Sequence, residues 1–221
     1  MSTWRKKACG VGWARVRGWS FQQPLPSLST RPTRCPCCIP FNGIPRTING
    51  LVALRRSLPP AVVDNLPTQA RRRLDPQNIQ SVGARGNHLF SAVYRSLTRP
   101  LVDKLSDAHP DLPIYIVGSH YGALLADPPG DVTVATVGHL LTSIVAVACL
   151  RAQTGVEPQL LSHVYGLRKC CEKEAWKTDW VAETGQDETA IPWLMGDDGC
   201  EWLLKSVDAI AEALGSSSEP Q

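Results

Sequence analysis

The stretch "VATVGHLLTSIVAVACLRAQ", residues 134–153, decides the fold. Its Val, Ile and Thr content favours a buried strand on propensity alone. Length argues the other way. Apolar residues at 137, 140, 141, 144, 145, 147, 148 and 150, spread over twenty residues, fit a largely buried helix, whereas a strand averages about five or six residues. We read a helix with too little polar surface to stand exposed.

Working outward, Thr154–Gly155 breaks this helix, and the chain re-enters one at Glu157 and Pro158. A carboxylate in the first turn and an early proline both suit a helix start, and the segment is expected to run to about Trp176. Upstream, "HPDLPIYIVGSHYGALLADPPG" predicts a helix from near Asp111 to the Pro128–Pro129–Gly130 turn. Before it, "NHLFSAVYRSLT" (88–99) reads as helical, and Pro100 suits the opening of "PLVDKLSDAH". Downstream, the acidic segment 177–199 has no period and reads as a loop. Asp198 and Glu201 then form a capping-box-like start to an amphipathic last helix through Trp202, Leu203, Val207, Ile210 and Leu214, ended by Gly215. Every periodic segment is helical, so the expected fold is all-α.

Charge divides the chain. Residues 1–75 hold thirteen Arg and Lys against Asp64 and Asp75, and the rest holds ten basic residues against eighteen acidic ones. The basic character thus belongs to one end, and no nucleic-acid partner is inferred for the whole protein. Acid-poor, Arg- and Ser-containing N-termini have the composition of organellar transit peptides, so mitochondrial localisation is expected. The expected organisation is a disordered basic leader over 1–50, a linker over 51–84 with one short helix in "LVALRRSL", a helical domain over 85–215 and a disordered tail over 216–221. No apolar run reaches membrane-spanning length, since "LLTSIVAVACL" stops at Arg151.

Eight cysteines without framework spacing suit a reducing compartment, and "RCPCCIP" (34–40) is too crowded for a zinc knuckle. No metal triad, phosphate-binding glycine loop, Ser-His-Asp arrangement or dinucleotide fingerprint occurs. The chemistry concentrates in "LLSHVYGLRKCC" (160–171). Helical spacing places Gln159, Gly166 and Cys170 on one face with His163. An imidazole there suits proton transfer near neutral pH, while a core or interface histidine is the alternative.

The order of "SHYGALLADPPGD" and "LLTSIVAVACLRAQTGVEPQLLSHVYGLRK" resembles the carboxymuconolactone decarboxylase and AhpD-like (alkyl hydroperoxidase) superfamily over about residues 110–170. The matching positions are Tyr121–Gly122, Pro129–Gly130, the helix through Ile144 to Leu150, Gly155 and His163. This resemblance implies an AhpD-like helical bundle, a homo-oligomer and His163 as the catalytic proton shuttle. No cofactor is required, and the substrate would be a small organic acid or lactone. His120, Tyr121, Gln159, Gly166 and Cys170 are the expected pocket residues, with His139 as a secondary candidate. The two cysteines of the peroxidase branch fall at Val156 and Gln159, so its dithiol route is absent. A single-thiol redox protein using Cys170 or Cys171, or a non-catalytic oligomer, are the alternatives.

Overall fold

The structure, a computed structural model, describes residues 36–66, 68–128, 137–170, 177 and 190–215, all belonging to one compact unit spanning 33–221. Its described residues contain helices and no strands, as expected. The leading elements are a 3₁₀ turn (Pro36–Cys38), α1 (Ile39–Ser57), α2 (Pro60–Asp64) and α3 (Ile79–Tyr94). A second 3₁₀ turn at Arg95–Leu97 leads into α4 (Thr98–Ala108). The short α5 (Leu112–Ile114) continues directly as a π-helix over Tyr115–Leu125. The chain finishes with α6 (Gly138–Arg151), α7 (Glu157–Lys169), α8 (Ala190–Met195) and α9 (Asp197–Gly215).

The decisive stretch is the helix α6, and its apolar surface is covered by its own chain. His139, Leu140, Thr142, Ser143, Ala146, Val147 and Leu150 are buried, and α6 packs chiefly against α7 and α9. The exposure that would have demanded a second copy is therefore absent. Two apolar clusters make the core. One joins Leu89, Phe90 and Val93 of α3 to Val117, Tyr121 and Leu125 of the π-helix, and the other joins Leu140 and Val147 to Leu167, Ile191, Met195 and Leu203. Across α6 and α9, Arg151 donates both Nε and Nη2 to the Asp208 carboxylate at 2.7 Å.

The helix α3 and the π-helix touch through glycine. A Cβ on Gly86 would stand 2.5 Å from the Val117 carbonyl oxygen, and one on Gly122 would stand 2.8 Å from that of Val82. Both backbones come within reach only because neither residue has a side chain.

Helical structure begins far earlier than the expected boundary at 85. Most of α1 lies in the segment expected to be a leader, yet Thr47 is buried and Phe41 packs on the first core cluster. The sequence shows only the "LVALRRSL" end of α1 and hides its beginning, because Gly43, at φ 74°, kinks the helix and Pro45 follows, which interrupts the apolar period. Thr47 Oγ1 donates to the Gly43 carbonyl at 2.8 Å, and Gln153 Nε2 donates to the Phe41 carbonyl and to Asn42 Oδ1, both at 3.1 Å. The kink is thus held to the end of α6. Residues 1–35 and the tail 216–221 lie outside the described residues.

Other boundaries also shift. The third helix starts at Ile79 and not 88, because Asp75 Oδ1 accepts the backbone N–H groups of Gln77 and Asn78 and turns the chain into it. The next helix opens at Thr98, two residues before Pro100. Within the expected acidic loop, "AIPWLM" forms α8, whose Ile191 and Met195 enter the core. The seventh helix ends at Lys169, short of Trp176. One cysteine departs from the reduced set, since Cys37 is buried and disulfide-bonded.

Candidate functional site: a buried histidine on a tyrosine chain

His163 lies mid-way along α7, only 3% exposed. Its Nε2 is 3.3 Å from the Tyr94 hydroxyl, which is also the acceptor of a 3.2 Å hydrogen bond donated by the Tyr121 hydroxyl. A hydroxyl has one proton to give. Where Tyr94, already receiving from Tyr121, donates to Nε2, the ring proton sits on Nδ1. Nδ1 is buried with no hydrogen-bond partner in the protein. Thr142 Oγ1 and Ser143 Oγ on the adjacent α6 are buried in the same condition. Leaving such a donor unmet costs about 1–3 kcal/mol.

Aromatic packing fixes the arrangement. The Phe41 ring of α1 meets the imidazole edge-on at 5.4 Å, and Phe90 stands 4.6 Å from Tyr94 and 5.0 Å from Tyr121 between centroids. Arg95, at the end of α3 with the positive φ of 49°, donates to the Lys169 carbonyl at 3.0 Å and ties α3 to the last turn of α7. Burial, then the nearby His139, holds the His163 pKa down to about 4, and burial likewise brings His139 to about 4. Burial raises Tyr94 and pushes Tyr121 well above the ordinary value. At neutral pH the chain is therefore a neutral imidazole and two protonated phenols.

The expected pocket is only partly assembled. Tyr121 joins His163 through Tyr94, but His120, half-buried on the π-helix, is neither bonded to nor stacked on His163. Gln159 is exposed because it falls in the first turn of α7, beyond the edge of the core. Gly166 opens no ligand space. A Cβ there would stand 3.2 Å from Val93 Cγ1, so the glycine lets α7 approach α3 closely. Cys170 is fully buried, with its thiol donating to the Gly166 carbonyl at 3.7 Å, while Cys171 lies outside the described residues. Of the remaining thiols, Cys149 has its pKa pushed up to about 11, first by burial.

Sequence reasoning missed Tyr94, Phe41, Thr142 and Ser143. Tyr94 lies 69 residues from His163, and spacing along a helix says nothing about contacts across that distance. No group of three His, Cys, Asp or Glu residues placed to hold a metal occurs among the described residues.

An all-α unit with a buried tyrosine–histidine chain is what fold and site define. No family model matches the chain, and no solved structure matches it. A Saccharomyces cerevisiae protein named Peroxisomal protein 2 is 30% identical over 155 residues, covering 61% of this chain and 52% of that protein. A Schizosaccharomyces pombe protein of the same name is 29% identical over 127 residues, covering 58% and 54%. The chain spans about half the length of the curated relatives it matches. These peroxisomal names overturn the expectation of a mitochondrial address. An Arg-rich, acid-poor stretch is a matter of composition and does not by itself specify an organelle. No helix among the described residues is long and apolar enough to cross a membrane.

Proposed function

We propose that this chain is an AhpD-like, carboxymuconolactone decarboxylase-like protein of the peroxisome that performs cofactor-free acid–base chemistry on a small organic acid or lactone. The observation that supports it is the buried His163, whose Nε2 meets the Tyr94 hydroxyl and whose Nδ1 has no hydrogen-bond partner; with Tyr94 donating, Nδ1 carries the proton and is free to donate. A neutral imidazole of lowered pKa is an effective hydrogen-bond donor to an oxygen that gains charge, as when an enolate forms on loss of carboxylate or opening of a lactone. Tyr94 and Tyr121 then keep Nε2 supplied with a hydrogen bond throughout. The peroxisomal element rests on the names of the two relatives.

Self-association belongs to the same proposal. Ile44, Ile48 and Val52, four residues apart on α1, are 63%, 55% and 44% exposed and form an apolar stripe that a second copy would cover. A non-catalytic role for the fold is the second reading, favoured by the close α3–α7 packing at Gly166. The single-thiol redox alternative loses Cys170, which has no exposed surface, while Cys171 lies outside the described residues.

The test is a panel of β-keto acids and unsaturated lactones, followed for CO2 release and ring opening by wild type and His163→Gln. The proposal expects turnover that falls roughly 100- to 10,000-fold in the variant while thermal unfolding stays cooperative. Equal turnover in both proteins, or none in wild type, would favour the non-catalytic reading.

A further inference from the structure

A second feature lies at the start of α3, away from the tyrosine chain. Arg71, Arg72, Arg73 and Arg85 line a cleft of about 220 Å³ together with Leu74 and the π-helix residue Gly122. None of the residues lining it is Tyr94, Tyr121 or His163. Asn78, the residue before α3, and Ser81, from its first turn, line the same space, and a helix N-terminus favours negative charge.

Crowding guanidinium groups is unfavourable unless an anion offsets them. Arg72 donates to the Ala126 carbonyl and forms a 3.4 Å ion pair with Asp127, so its geometry is set by the protein itself. Burial lowers its pKa, and both Arg71 and Arg85 lower it further while Asp127 opposes them. Arg85 is the telling residue. Its Nη1 reaches Ser81 Oγ at 3.2 Å, yet its Nε is buried with no hydrogen-bond partner. A buried charged donor without an acceptor is costly, and a planar guanidinium fork matches the paired oxygens of a phosphate.

We propose that this cleft binds the phosphate group of a small phosphorylated molecule, with Arg85 and Arg73 as ligands and Arg72 as the residue that shapes the wall. The space is too small for a macromolecular segment but accommodates one or two phosphoryl groups, and Leu74, Val82 and Ala123 offer an apolar border to the body of the ligand. A diphosphate is favoured over a single phosphate because Arg73 and Arg85 are two separate ligands lining one cleft.

The experiment is titration calorimetry of the full chain with inorganic pyrophosphate and inorganic phosphate at matched ionic strength. Variants are Arg85→Gln, Arg85→Lys, Arg73→Gln and, as a control that does not line the cleft, Arg55→Gln. Vesicles of phosphatidylcholine containing phosphatidic acid test whether a lipid headgroup is the source of the phosphate. The inference expects saturable pyrophosphate binding, tighter than phosphate, weakened about tenfold or more by Arg85→Gln and Arg73→Gln, as for a lost charge-assisted hydrogen bond. Arg85→Lys should retain part of the affinity and Arg55→Gln all of it. No pyrophosphate binding, equal affinity in the cleft and control variants, or vesicle retention without pyrophosphate binding would overturn it.

Discussion

Tyr94 is the residue on which the site turns, because its one hydroxyl serves both Tyr121 and His163. Replacing it by Phe keeps the ring packing on Phe90 but strands the Tyr121 hydroxyl and the His163 Nε2 in the interior. Equilibrium urea unfolding of Tyr94→Phe should show a loss of about 1–3 kcal/mol. The corresponding change at exposed Gln159, Gln159→Ala, should be close to neutral. At this scale the sequence was informative about His163 and poor about its surroundings. The run "LLSHVYGLRKCC" placed His163, Gly166 and Cys170 on one face, and all three are buried. What no helical spacing could reveal was that the side chains touching His163 come from α1 and α3.

At the scale of elements, glycines decide how closely α3 is approached. In a free helix Ala is favoured over Gly by about 1 kcal/mol. At Gly86 that gain is overwhelmed, since a methyl group would stand 2.5 Å from the Val117 carbonyl and 2.6 Å from the Gly122 nitrogen, both backbone. Gly86→Ala should therefore destabilise by about 1–3 kcal/mol or more in thermal melts. Gly166→Ala meets the movable Val93 Cγ1 at 3.2 Å, so propensity and crowding nearly cancel and the change should be small. The first helix gives a further expectation: deleting residues 1–50 removes Cys37, Phe41 and Thr47 from the core and should lower the melting temperature clearly. The α6–α7 pair was legible because its apolar pattern is long. By contrast, only the "LVALRRSL" end of α1 was legible, its earlier turns being interrupted at Gly43 and Pro45, and α8 was not, being only six residues long with a proline inside it.

For the whole molecule, the buried imidazoles couple stability to pH. Both have an ordinary pKa of 6.5 and a folded value of about 4. As pH falls below 6.5, the unfolded chain takes up these protons first, so their contribution is fully present above 6.5 and is lost progressively down to about 4. For His163 the loss is on the order of 3 kcal/mol. Melting temperatures of His163→Gln should consequently fall less steeply with acidification than those of wild type, the difference opening between pH 6.5 and 4. An identical slope in the two proteins would show that His163 is not held neutral by the fold. The all-α class was readable from period alone. The extent of the unit was not, because charge and composition near the N-terminus masked residues that belong to the core.

The proposed chemistry requires a neutral, Nδ1-protonated His163 that can donate to an anionic oxygen. Nitrogen NMR of the ¹⁵N-histidine-labelled full chain at neutral pH tests it most directly, with the His163 signal assigned by its absence in His163→Gln. The expected result is the Nδ1–H tautomer, its loss of definition in Tyr94→Phe, and a shift of the Nδ1 signal when a substrate-like keto acid is added. An imidazolium at neutral pH, an Nε2–H tautomer, or a ring that ignores every acid offered would contradict it.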